Sequence, residues 1–71
     1  MPETCQVLRD LIEAVQRHLS IITAVSRAAA RAVAESDEAL LQQLDRQLEK
    51  EIGKKQRAMG ALREHRAEHG C

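Results

Sequence analysis

Val33-Ala34-Glu35-Ser36-Asp37-Glu38-Ala39-Leu40 decides the fold. The stretch holds neither Gly nor Pro, and helical spacing of apolar residues can be traced through it. One uninterrupted helix in a long coiled coil is therefore a competing reading. Ser36 and Asp37 argue for a break. Both are residue types that cap a helix N-terminus, and the acids that follow suit the positive end of a new helix dipole. We read a turn near 36–37, a first helix over 4–35 and a second over 38–69.

The flanking residues support two helices. Most are strong helix formers, and the apolar ones recur three and four apart. The first stripe runs Leu8, Leu11, Ile12, Val15, Leu19, Ile22, Val25, Ala29, Ala32, Val33; the second runs Leu41, Leu44, Leu48, Ile52, Met59, Leu62. This is the pattern of a bundle helix rather than a strand. Pro2 sits where a first turn tolerates proline, and Gly70 where a C-terminal cap belongs.

Size matching favours an antiparallel hairpin over the single helix. With the turn near 36–37, residues whose numbers sum to about 73 face each other. Ala28, Ala29, Ala30 and Ala32 then oppose Leu40, Leu41 and Leu44. Gly53 and Gly60, seven apart, oppose the bulky levels around Leu19–Ile21 and Ile12–Glu13. Large against small interdigitates well. Each mid-helix glycine costs about 1 kcal/mol relative to alanine, so close helix packing at Gly53, Gly60, Ala29 and Ala32 is the expected compensation.

A 71-residue chain is one domain, and it contains no Phe, Trp or Tyr. The side chains that bury most area are missing, at a size where a single core is marginal. Self-association of the all-α hairpin, as a dimer forming a four-helix bundle, is the expected remedy. Eleven acidic and eleven basic residues leave a net charge of zero, which argues against a dedicated nucleic-acid or anionic-membrane surface. The charges are nevertheless unevenly placed. Residues 37–52 carry five acids and two bases, whereas 53–66 carry Lys54, Lys55, Arg57, Arg63 and Arg66 against Glu64 alone. No apolar segment approaches the ~20 residues of a membrane span. Met1–Arg9 lacks a basic start followed by an apolar run, so a cytoplasmic setting with reduced thiols is expected.

Two constellations carry chemistry. At the C-terminus, His65 and His69 project from one helix face about one turn (~5.4 Å) apart. The facing rule brings Cys5 level with them and with Cys71. A His2Cys2 metal site from Cys5, His65, His69 and Cys71 follows, and zinc is the metal such ligands suit. A Cys5–Cys71 disulfide competes with it, as does a plain helix end whose histidines complement the dipole. No C-x-x-C or H-E-x-x-H pattern is present.

Mid-chain, His18 interrupts the first stripe and Lys55 the second, at the same level, with Glu51 one turn from Lys55. A buried polar layer of His18, Lys55 and Glu51 would set register or oligomeric state at a cost in stability. Glu13–Arg17, Arg31–Glu35 and Glu51–Lys55 are candidate ion pairs four residues apart. Ser20, Thr23 and Ser26 have no His–carboxylate arrangement that would activate a nucleophile, so no enzyme is read here.

The layout resembles the small hairpin co-chaperones of bacterial secretion systems in shape alone, which carries no function. The composition points to a protein–protein interaction module: an adaptor, assembly factor or chaperone-like subunit meeting itself or another helical protein. The alternatives are a metal- or thiol-based protein and a nucleic-acid-binding hairpin dimer using 54–66, shaped like plasmid copy-number regulators.

Overall fold

In the computed structural model, backbone is described over residues 3–69 and side chains over 5–68. Pro2 and Gly70, the expected terminal signals, lie outside the described residues. Two α-helices account for almost all of the rest: α1, Glu3–Ala34, and α2, Glu38–His69. They pack against each other as a hairpin.

The turn is built from backbone capping. Ser36 takes the left-handed conformation at φ 55°, the position a glycine ordinarily fills after a helix. The Asp37 amide donates to the Ala32 carbonyl at 2.9 Å, and the Ser36 amide to the Val33 carbonyl at 3.1 Å. This double closure is the Schellman arrangement, and it satisfies carbonyls that the end of α1 would otherwise leave unpaired. Asp37 then opens α2. Its Oδ1 accepts from the Leu40 amide at 3.1 Å, and its carbonyl accepts from the Leu41 amide at 3.0 Å. Of the two candidate caps, Asp37 caps α2 while Ser36 supplies the reversal. Asp37→Ala is expected to cost about 1 kcal/mol through loss of the cap. Ser36→Gly should act in the opposite sense by several tenths of a kcal/mol, because glycine adopts positive φ without strain. Urea denaturation of the two variants checks both signs.

The resulting rod measures 51 × 16 × 12 Å, as expected for helices rising ~1.5 Å per residue. Its radius of gyration is 15.9 Å, against about 11 Å for a globular chain of this length.

Burial locates the seam at a strict seven-residue repeat. In α1 the rows are Leu8, Val15, Ile22, Ala29 and Leu11, His18, Val25, Ala32. In α2 they are Leu41, Leu48, Lys55, Leu62 and Leu44, Glu51, Ala58, His65. Each of these positions is buried or half-buried. Small residues cluster in α1 near the turn, where Ala32 is 1% exposed and where leucines of α2 come level. The seam departs from the sequence stripes in three places. Leu19 and Val33 are exposed by 47% and 60%, and Met59 by 37%. A seam repeating every seven residues advances 3.5 residues per turn. Following the bulkiest residue at each step drifts off it.

The glycines require a correction. A Cβ on Gly53 would meet only Arg57 Nη1 of its own helix, at 3.5 Å, and one on Gly60 would meet nothing within 4 Å. Neither glycine packs against α1. Both sit two rows away from the seam, on the outer side of α2. Gly60→Ala is accordingly expected to raise stability by about 1 kcal/mol, read as a higher melting temperature. A fall would show that something covers this face.

Candidate functional site: a buried carboxylate between the helices

Glu51 holds a leucine-like position in the seam rows of α2 and is 8% exposed, the one buried charged residue among those described. From the facing helix His18 reaches it, Nδ1 to Oε2 at 3.4 Å. On the other side Lys54 Nζ lies 3.4 Å from Oε1. The lysine paired with Glu51 is thus Lys54, three residues on, and not Lys55. Lys55 comes level with His18 and is half-buried, but among the described residues it makes no ion pair with Glu51. Neither Glu13–Arg17 nor Arg31–Glu35 appears among their ion pairs either.

The cross-helix contact is close without being a good hydrogen bond. His18 Nδ1 and Glu51 Oε2 are both shielded from solvent, and each lacks a partner of hydrogen-bonding geometry. At 3.4 Å the separation exceeds the 2.7–2.9 Å of a charge-assisted bond. It is an electrostatic contact across the seam rather than a hydrogen bond. The chemistry available is to hold one negative charge inside an apolar seam beside two basic groups. Surface hollows occur among the described residues. One of about 550 Å³ lies on α1 alone, lined by Glu13, Gln16, Arg17, Ser20 and Ile21, and a smaller one lies beside the turn. Neither is lined by His18 or Glu51.

At the open end, Cys5 is disulfide-bonded, in contrast to the reduced thiols expected from sequence. A sulfur held in a disulfide is not the thiolate that ligates zinc, so the His2Cys2 reading applies only to the reduced chain. His65 is half-buried in the seam and, like Arg9 and Glu68, is engaged in a polar interaction. The His69 side chain and Cys71 lie outside the described residues. Among the described residues, no group of three or more His, Cys, Asp or Glu side chains is placed to hold a metal ion. No helix described is long and apolar enough to cross a membrane.

The sequence placed Glu51 in a buried layer with His18, and both stand there; what it assigned differently is the lysine beside Glu51. Leu44, Glu51, Ala58 and His65 recur every seven residues.

No protein-family model, curated protein or solved structure matches the chain.

Proposed function

We propose that this chain is a small helical protein–protein interaction module that works as a homo-oligomer, in the manner of an adaptor, assembly factor or chaperone-like subunit. The observation that supports this reading is uncovered apolar surface. Among the described residues the two helices bury only Leu8, Val25 and Ala32 of their hydrophobic side chains, while Val7, Leu19, Ile21, Val33, Leu40 and Met59 stay exposed. Scattered exposed apolar side chains are ordinary on a large protein. Here they outnumber the core.

The scale of the exposure agrees. The hairpin presents 5289 Å² to solvent, whereas a folded monomer of 7.9 kDa presents about 4400 Å². The excess of about 900 Å² is close to the ~800 Å² that each partner contributes to a standard-size interface. Sedimentation over a concentration series tests the reading. Dimers or larger assemblies at micromolar concentration are expected. A monomer that persists at hundreds of micromolar would remove self-association and leave a different protein as the partner.

A further inference from the structure

We infer that one face of the hairpin is built to receive a second copy laid antiparallel across it, with the turn of each copy over the open end of the other. This inference rests on the self-association proposed above and adds the face and the orientation. The rows that flank the seam carry it. On one side α1 presents Ile12 and Leu19, seven residues apart, and the matching row of α2 presents Ile52 and Met59, also seven apart. In an antiparallel pair these rows lie side by side at the same level, which makes a single apolar patch near the middle of the rod.

The charges around that patch are self-complementary. The α2 row reads Asp45, Ile52, Met59, Arg66, and the next row outward reads Glu49, Gln56, Arg63. Each row has an acid toward the turn and a base toward the open end. The first is symmetric about a point between residues 55 and 56 and the second about residue 56, within about two residues of the level of the midpoint of Ile12 and Leu19. A two-fold axis through that point sets Ile52 over Met59 of the second copy. It sets Asp45 against Arg66 and Glu49 against Arg63, each contact occurring twice. All four charged side chains are exposed, and none forms an ion pair within the hairpin among the described residues.

A parallel second copy would lay Asp45 and Arg66 over the α1 row Cys5, Ile12, Leu19, Ser26, which carries no countercharge. The opposite face is less suited, since Val7 and Ile21 alternate there with Lys54 and Glu68. Isologous self-complementarity of this kind is what a closed dimer requires. Rim charges of this sort select orientation more than they add affinity.

Charge reversal with sedimentation equilibrium tests the arrangement at low salt. Asp45→Arg and Arg66→Asp, each alone, create two like-charge contacts and should raise the dimer dissociation constant roughly tenfold or more. The two changes combined in one chain should return it to within about threefold of the unaltered protein. Leu19→Glu should leave only monomer. Circular dichroism should show full helicity throughout, because every altered side chain is exposed in the hairpin. Single reversals that dimerise normally, or a combined variant that stays as weak as the singles, would overturn the face and orientation while leaving self-association standing. An unaltered protein that is monomeric at every concentration would overturn both.

Discussion

Reduction of the disulfide at Cys5 is expected to lower the unfolding free energy by about 2–4 kcal/mol. For a domain this small, that corresponds to a drop of roughly 10–25 °C in melting temperature. The size of the effect follows from how little else holds the rod together. Three buried hydrophobic residues among those described make a thin core, and chains of this size commonly need a covalent or oligomeric supplement. The capped turn pins one end of the hairpin, and Cys5 lies at the other, where the helices would otherwise fray first. Melting curves with and without reductant, at one protein concentration because association shifts the midpoint, give the measurement. Cys5→Ser should melt like the reduced protein and ignore reductant. Coincident curves for oxidised and reduced protein would show that packing alone sustains the fold.

Replacing His18 and Glu51 together by leucine is expected to raise stability by about 1–4 kcal/mol. Both lie in the seam rows, their facing atoms are shielded from water, and their contact lacks hydrogen-bonding geometry. The attraction between them is then poor return for the lost hydration of a carboxylate. Leucine at each position would continue rows that hold Leu11 and Val25 in α1 and Leu44 and Ala58 in α2. The single variant His18→Leu should behave oppositely and destabilise the protein, because it leaves the Glu51 carboxylate buried without its partner across the seam. Comparing the two singles with the double isolates the coupling. Urea denaturation supplies the energies. A double variant no more stable than the natural chain would show that the pair is net stabilising. If the pair also sets register, as polar groups in a seam commonly do, the stabilised variant should sediment as a mixture of species.

Much of this architecture was readable in advance because it depends on local physics. Ser36-Asp37 marked the reversal because both residues favour cap conformations over helix interiors. Ala29 and Ala32 marked close packing because leucines came level with them once the chain reversed. The readings that failed were those that needed the exact angular position of a side chain. Gly53 and Gly60 share a face, but seven-residue spacing does not say which face. Only the seam, running through Glu51, Lys55 and Ala58, places the glycines outside. Lys55 and Lys54 differ by one residue, about 100° around the helix, and that rotation decides which one stands beside Glu51. Met59 enters the apolar stripe by its helical spacing, although its neighbour Ala58 holds the seam row.

By itself, then, the sequence determined two helices and the place where they part, since propensity, capping and the three-four spacing act within a few residues of chain. It also determined that the apolar surface would exceed what one hairpin can cover, since that follows from composition and length. The tertiary structure alone decided that Lys54 rather than Lys55 stands beside Glu51, that both glycines face outward and that Met59 lies off the seam. Those outcomes depend on how two helices rotate against each other, and a rotation of one residue exchanges a buried row for an exposed one at almost no cost in local propensity.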